Sequence, residues 1–398
     1  MKSKHLLIVM SIIYLVSILF YTCRNTNKEI IAPLTKSWET AIPHQDIPEG
    51  LTSLDAESCG SCHQEIYNEW KQSTHADAFR DPQFQAEWTK DDIYACLNCH
   101  TPLQNQQEYI VTGIINGDYK TPLKKPNPNF DSKLQQEGIT CASCHIRERA
   151  IIGTSDPGNT PHKTLKDGKF LSETLCIGCH NVVDELNPVL VCSFETGDEW
   201  RKNGFLEIGK NCITCHMPEI QRSVASGMEK RKSHFHTFPG SGIPKFFNQK
   251  TRGLNGLEIT MDSIPDRYAE SATLKYSLTV RNSLAGHNVP TGDPERFFLI
   301  SFKILDRSGA IIREKKWRIG EEWQWYPTAK KLSDNNLNPG EVRRFEFEYE
   351  FQSKGEFFLV VEITKHRMTE ENARFNGILD NYPLSIKIFG KQYQIRAM

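Results

Sequence analysis

Five copies of one pentapeptide, Cys-x-x-Cys-His, constrain this chain more than any other feature of its sequence. Two thiols three positions apart can form thioether bonds to the two vinyl groups at one edge of a porphyrin, and the next residue then lies under the iron as its proximal ligand. The pattern therefore predicts five covalently attached haem c groups. The motif residues, in chain order, are Cys59, Cys62 and His63; Cys96, Cys99 and His100; Cys141, Cys144 and His145; Cys176, Cys179 and His180; Cys212, Cys215 and His216.

Structural zinc is the alternative interpretation of these cysteines, because two Cys-x-x-Cys units can supply the four thiolates of one zinc site. Five pairs leave one pair unmatched, and zinc does not require a histidine directly after every second cysteine. The spacing therefore favours haem over zinc. Ten of the twelve cysteines lie in the motifs, which leaves Cys23 and Cys192 and argues against a disulfide framework.

The composition bounds the class of protein. A length of 398 residues is enough for two or more domains. The hydrophobic content of 38% is on the low side, as expected if porphyrins replace part of the apolar core. A formal net charge of −1, with no long basic run, gives no argument for nucleic acid as a partner.

The N-terminus has the pattern of an export signal, because two lysines precede an apolar stretch from Leu6 to Phe20. Haem c is attached outside the cytoplasm, so both signals predict an exported protein of the periplasm or cell envelope. Three alternatives stay open: a cleaved signal peptide, an uncleaved anchor over residues 1–22, or a lipid on Cys23. The last two would attach the protein to the membrane. Residues 23–50 are polar and contain prolines, which predicts a tether.

The sequence predicts two domains after the tether. Residues 51–250 contain all five motifs, and we expect a mainly α and coil domain there, packed around haems, with short helices, Pro-rich loops and little sheet. Residues 251–398 have no cysteine and change to an alternation of apolar and polar residues with period two. This pattern predicts an antiparallel β-sandwich. The strand candidates are residues 274–280, 297–305, 345–351, 356–364 and 383–389.

Three stretches have a distinctive order of residues: the first motif with Trp70, Ser73 and His75; residues 138–145 followed by Pro161-His162; and residues 212–218 followed by residues 236–240. In these stretches the chain resembles the multihaem cytochromes related to the tetrahaem electron acceptor of hydroxylamine oxidoreductase. Pentahaem nitrite reductases and octahaem hydroxylamine oxidoreductases belong to the same superfamily. The resemblance implies closely packed haem pairs along which electrons pass.

Each iron needs a second axial ligand or stays open to a substrate, and the histidines outside the motifs are the candidates. The resemblance implies His75 and His162 as distal ligands, with at least one of His234 and His236, of which His236 is the better match. It also implies His287, because related proteins have a similar Gly-His-x-x-Pro-Thr-Gly segment on a β domain. His44 and His366 are weaker candidates.

Electron transfer is the predicted function, because bis-histidine coordination leaves no vacant iron for chemistry. The expected partners are redox proteins, such as a quinol dehydrogenase or a terminal reductase. The alternative is a multihaem oxidoreductase of a small nitrogen or sulfur oxyanion with one open haem. The related nitrite reductases have lysine in place of the proximal histidine at the active haem, whereas all five motifs here end in histidine. A third class is a docking subunit, which is compatible with electron transfer.

Overall fold

The computed structural model describes residues 30–156, 158 and 160–398. The predicted signal or anchor over residues 1–22 and the candidate lipid site Cys23 lie outside the described residues. Among the helices of the described part, none has both the length and the apolar character needed to cross a membrane.

Short helices fill the region of the five motifs, and every motif lies in or directly follows a helical turn. Cysteines at positions i and i+3 of a helical turn lie on the same face, which directs both thiols of a motif to one side. Polar side chains define where several helices begin, since Asp55, Asp131, Ser172 and Asn211 each accept a hydrogen bond from a backbone N–H of the first turn. The helices are α1 (Ala56–Gly60), α2 (Gln64–Lys71), α3 (Pro82–Asp91), α4 (Leu97–His100), α5 (Ser132–Gln135), α6 (Cys141–His145), α7 (Glu173–His180), α8 (Thr196–Lys202) and α9 (Cys212–His216).

The prediction of little sheet in this region was wrong, because four small sheets lie between the helices. Two have three strands each and two are hairpins. Some of their strands, such as residues 109–115 and 150–153, are rich in β-branched residues, which pack well on a pleated surface. The strands are β1 (Ile31–Ala32), β2 (Tyr109–Ile115) and β3 (Pro122–Pro126); β4 (Ile146–Arg147), β5 (Ala150–Gly153) and β6 (Thr164–Lys166); β7 (Val182–Asn187) and β8 (Leu190–Phe194); and β9 (Glu219–Ser223) and β10 (Lys230–His234).

Residues 30–50 pack against the motif region, which differs from the free tether that the sequence predicts. Strand β1 pairs with β2 in antiparallel register. The ring of Trp38 lies 5.5 Å from that of Tyr119, and the Tyr119 hydroxyl donates a hydrogen bond to Glu39 at 2.8 Å. Burial of these aromatic rings holds the segment in place, so any free tether ends before residue 30.

The C-terminal region folds as two sheets around one core, in agreement with the predicted sandwich. All strand pairs in the two sheets are antiparallel except one, in which residues 267–268 pair in parallel with residues 396–397. The first sheet has the order β11 (Leu257–Met261), β13 (Thr273–Asn282), β18 (Val342–Glu350). The second has the order β12 (Arg267–Tyr268), β20 (Ser385–Ala397), β19 (Gly355–His366), β14 (Phe297–Asp306), β15 (Ile311–Gly320).

Alternate residues of these strands form the core of the sandwich, as the period-two pattern predicts. Leu274, Leu278, Ile300 and Phe302 are fully buried and belong to one apolar cluster that spans both sheets. A turn at Asp306–Gly309 connects β14 to β15, and the positive φ of Gly309, 87°, favours glycine there. A hairpin of β16 (Glu322–Gln324) and β17 (Lys330–Ser333) and helix α10 (Glu370–Phe375) complete the domain.

Buried polar contacts join the β-sandwich to the motif region. The hydroxyl of Tyr382 donates to Asp81, which caps α3, at 2.6 Å. Gln83, also on α3, donates to Asp293 at 2.9 Å. These contacts place the loop after β13 and the segment before β20 beside helix α3 of the motif region.

Candidate haem-binding site

One continuous cavity of about 2470 Å³ is lined by residues of all five motifs and by loops of the β-sandwich. Divided by five, this volume is about 490 Å³ for each motif, within the roughly 300–1,000 Å³ that pockets for organic ligands span. The space and the donor groups therefore fit the groups that the motifs predict.

The thiols of different motifs contact one another in pairs, which defines how the attachment sites are connected. The first motif adjoins the third, and the fourth adjoins both the second and the fifth. The thiol pairs are Cys59 with Cys141, Cys99 with Cys179, and Cys176 with Cys212. Cys144 also lies within electrostatic range of Cys179, which links the third motif to the fourth. In the described part of the chain, no three or more His, Cys, Asp or Glu side chains gather as metal ligands, whereas structural zinc needs four.

Four of the five motif histidines face a second histidine at nearly the same spacing. A metal–imidazole nitrogen bond is about 2.0 Å long and the nitrogen lies about 1.1 Å from its ring centre, so two imidazoles on opposite sides of one metal have centres about 6.2 Å apart. The observed centre-to-centre distances match this value. They are 6.4 Å for His63 and His162, 6.3 Å for His75 and His180, 6.2 Å for His145 and His236, and 6.3 Å for His216 and His287.

Hydrogen bonds to Nδ1 orient most of these imidazoles. A carbonyl oxygen can only accept, so Nδ1 must donate to it, and Nε2 is left unprotonated for a metal. The acceptors for motif histidines are Val224 O for His63 at 2.6 Å, Ile152 O for His145 at 2.9 Å and Pro239 O for His216 at 2.7 Å. On the opposite side, His236 donates to His234 O at 2.9 Å and His287 to Asn288 O at 2.8 Å.

Burial keeps these imidazoles neutral, which is the form that binds iron. Loss of solvent lowers the pKa of His75 to about 3, of His180 to about 4 and of His236 to about 3. The same cause lowers the pKa of His287. Protonation therefore does not compete with metal binding at neutral pH.

His100 is the exception among the motif histidines. Its Nδ1 lies 2.7 Å from Ala78 O, a contact like those of His63, His145 and His216, but its ring stacks on Phe84 with centres 3.9 Å apart and planes 12° apart. Phe84 therefore covers a face of the imidazole and does not stand where a sixth ligand would. Among the residues that the structure describes, no second histidine ring faces His100 at the spacing of the other pairs.

The remaining candidate histidines are not brought opposite a motif histidine. The Nδ1 atom of His234 lies 2.7 Å from Met217 O. His44 lies 3.6 Å from Asp46. His366 stacks on Phe297 with centres 4.4 Å apart. Of the predicted distal ligands, the structure therefore positions His75, His162, His236 and His287 opposite a motif histidine, but not His234.

The loop that carries His287 is held against α8 by Glu199. This carboxylate accepts hydrogen bonds from the backbone N–H of Asn288 at 3.1 Å and from the Thr291 hydroxyl at 2.7 Å. Burial raises the pKa of Glu199. The absence of a side chain at Gly286 is also required, because a Cβ there would lie 2.9 Å from the ring of Phe205. The loop therefore approaches the fifth motif closely.

A buried ion pair, which local sequence pattern did not indicate, positions His236. Glu69 on α2 accepts two hydrogen bonds from Arg222 on β9, at 2.6 and 3.1 Å, and one from the backbone N–H of His236 at 2.8 Å. Arg222 is only 4% exposed. The pair therefore fixes the strand that leads to His236 against the helix that follows the first motif.

Replacing Glu69 with Ala is expected to lower the free energy of unfolding by about 3–5 kcal/mol, because Arg222 would stay buried without its partner. Chemical denaturation measures this change. The control is Glu348→Ala, since Glu348 pairs with Lys275 on the exposed face of the sandwich, where about 1 kcal/mol or less is expected. Equal effects of both substitutions would contradict the role of the buried pair.

Comparison with known proteins agrees with this geometry. The family described as cytochrome c554 and c-prime matches residues 58–146, which contain the first three motifs. A pentahaem cytochrome c552 from Thermochromatium tepidum has a similar fold, with a TM-score of 0.58 and 18% identity over 87% of this chain and 100% of that chain. The chain is a multihaem c-type cytochrome. It binds haem c covalently.

The other similar structures carry no argument about this cytochrome, because their TM-scores are low. The CARDB domain of a Pyrococcus furiosus protein is 16% identical, with a TM-score of 0.20, over 36% of this chain and 85% of that chain. A β-glucosidase from Listeria innocua is 14% identical, with a TM-score of 0.19, over 39% of this chain and 18% of that chain. No curated protein sequence matches the cytochrome.

Proposed function

We propose that this cytochrome carries electrons through five covalently attached haems, four of them ligated by two histidines. The observation that supports the proposal is the set of four histidine pairs at a metal-bridging spacing, around thiols that contact one another from motif to motif. Adjacent attachment sites bring their porphyrins close together, which suits stepwise transfer. The proposed ligand pairs are His63 and His162, His180 and His75, His145 and His236, and His216 and His287.

We further propose the superfamily of the hydroxylamine oxidoreductase electron acceptor as the origin of this haem arrangement. In the order of these thiol contacts, the fourth motif is a branch point. The second and fifth motifs each adjoin it, and the third motif connects it to the first. A branched chain offers more than one exit for electrons. It therefore suits a protein that connects a donor to an acceptor.

The proposed setting is the periplasm or cell envelope, with a redox protein such as a quinol dehydrogenase or a terminal reductase as partner. Support comes from the apolar stretch from Leu6 to Phe20 and from the extracytoplasmic attachment of haem c. An anchor over residues 1–22 or a lipid on Cys23 would attach the protein to the membrane beside such a partner.

A second candidate function, reduction of a small nitrogen or sulfur oxyanion, is favoured by the surroundings of His100. No imidazole of the described chain faces it, and carboxyl groups that can hold protons lie nearby on α3 and the loop after β13. Burial raises the pKa of Glu87 to about 8 and that of Glu295 to about 9. Both groups are therefore protonated at neutral pH and could supply protons to a reduction.

Carbon monoxide is expected to bind one iron per chain in the fully reduced protein, at the haem of Cys96 and Cys99. The four irons between paired histidines are closed to CO, whereas the one at His100 has no facing imidazole. Optical titration with CO gives the stoichiometry. No bound CO would mean that another side chain closes this iron, which would remove the second candidate function.

Reoxidation of the reduced cytochrome separates the two functions. The carrier is expected to pass its electrons rapidly to an oxidised c-type cytochrome, and to show no repeated turnover with nitrite, hydroxylamine or sulfite when reductant is in excess. Sustained consumption of one of these compounds would overturn the carrier function. It would assign the haem of Cys96 and Cys99 as a catalytic site.

A further inference from the structure

Four cationic side chains lie close together where the β-sandwich meets the haem cavity. Lys245, Arg296, Lys365 and Arg367 all line the cavity, and the last two are buried. Lys245 and Arg367 share the carboxylate of Asp81, which contacts Lys245 and lies 3.8 Å from Arg367. Arg296 and Lys365 have no ion pair with a carboxylate in the described chain.

Arg296 and Lys365 donate hydrogen bonds to backbone carbonyls. Lys365 Nζ lies 3.0 Å from Ser241 O and 2.7 Å from Leu254 O, and a guanidinium nitrogen of Arg296 lies 3.3 Å from Thr291 O. Carbonyls satisfy hydrogen bonds but carry no net charge. Burial, followed by the charge of Arg296, lowers the pKa of Lys365 to about 8. Lys365 is buried without a carboxylate partner, and the nearest second charge is the half-buried cation Arg296. This arrangement is unfavourable, so the two side chains indicate that anions bind beside them.

The fourth motif is a nearby source of anions. A Cβ at Gly292 would lie 3.1 Å from the guanidinium of Arg296 and 3.8 Å from the ring of Phe194, and Phe194 pairs with Val182, two residues after His180. Arg296 therefore lies beside the end of the fourth motif. A haem attached at Cys176 and Cys179 would bring two propionate carboxylates with it. Two carboxylates match the two cations that lack one, and arginine binds carboxylates with particularly favourable geometry.

We propose that Arg296 and Lys365 bind the propionates of the haem attached at Cys176 and Cys179, so that the β-sandwich supplies the counter-charge for this haem. The inference rests on the proposed haem content. A positive charge near a haem favours its reduced form, because reduction adds a negative charge. The pair therefore raises the midpoint potential of the haem at the branch of the chain and joins the two domains through that haem.

The test compares Arg296→Gln and Lys365→Met with the unsubstituted holoprotein by potentiometric titration followed by EPR. Each substitution is expected to lower the equilibrium constant for reduction of one haem about tenfold. For a one-electron couple, this makes the midpoint potential of that haem about 59 mV more negative. The affected signal should be the one that His75→Ala converts to high spin. Arg296→Lys and Lys365→Arg keep the charge and are expected to restore the potential. The matched control, Lys275→Met, removes an exposed lysine of β13 and should leave all midpoint potentials unchanged.

Two results would overturn the proposal. One is an unchanged set of potentials in both neutral variants that still bind five haems. The other is a shift that depends on whether chloride or sulfate is present at constant ionic strength, which would assign the cations to a free anion. If a neutral variant does not fold, the charge-conserving variants Arg296→Lys and Lys365→Arg still provide a test. The infrared difference spectrum between their reduced and oxidised states reports the propionate carboxylates, and carboxylate bands unchanged in both of these variants would also overturn the proposal. A haem count below five in the unsubstituted protein would instead refute the proposed function.

Discussion

Replacing His287 with Ala is expected to convert one of four low-spin haems to the high-spin form and to raise CO binding from one to two per chain. His287 faces His216 with ring centres 6.3 Å apart and planes 17° apart, which is the arrangement of two ligands on one iron. Its loop belongs to the β-sandwich, whereas His216 ends α9. Loss of this imidazole would therefore open an iron and also remove a link between the domains.

EPR spectra of the oxidised protein and CO titration of the reduced protein measure the effect of His287→Ala. The matched control is His234→Ala, because His234 is also part-buried beside the cavity but faces no motif histidine. This control is expected to keep four low-spin signals and one bound CO. An unchanged EPR spectrum of His287→Ala would contradict the assigned ligand pair, and high-spin conversion in His234→Ala would reassign it.

Replacing Cys141 and Cys144 together with Ala is expected to abolish accumulation of folded protein. The part of the cavity that belongs to one motif, about 490 Å³, would then hold no porphyrin. At about 24 cal/mol per Å³, an empty cavity of that size lowers the free energy of unfolding by about 12 kcal/mol. The whole stability of a folded protein is about 5–15 kcal/mol. The third motif also contacts the first through Cys59, so the loss would extend beyond one site.

Recovery of soluble, protease-resistant protein measures the effect of the double substitution. Cys192→Ala is the control, because Cys192 lies outside the motifs on β8 and its thiol is replaced by a slightly smaller group. This variant is expected to accumulate normally with all its haems. Normal accumulation of the double variant would contradict the account of haem as the core of the N-terminal domain.

Local pattern was sufficient for the sandwich, and it also predicted that both thiols of each motif lie on one side of a helical turn. The spacing of each motif determines which side of a helical turn its thiols occupy, and strict alternation over residues 274–280 determines which side chains of β13 enter the core. The small sheets also had a local signal that the prediction did not use, since five of the seven residues of β2 are β-branched: Ile110, Val111, Thr112, Ile114 and Ile115.

Pairing of histidines could not be derived from local pattern, because partners lie between 71 and 105 positions apart in the chain. Resemblance to known cytochromes supplied the candidates. His234 and His236 are two positions apart, and only the path of the chain after β10 decides which of them faces His145. The contact of Phe84 with His100 is likewise tertiary and has no local signal in the sequence.

The central claim is that covalent porphyrins form the interior of the first domain. Intact mass spectrometry of the exported, denatured protein, combined with a pyridine haemochrome assay, tests it most directly. We predict a chain that carries five haem masses and the spectrum of haem c with both vinyl groups saturated. Free motif thiols without added porphyrin mass, or bound zinc in place of iron, would contradict it.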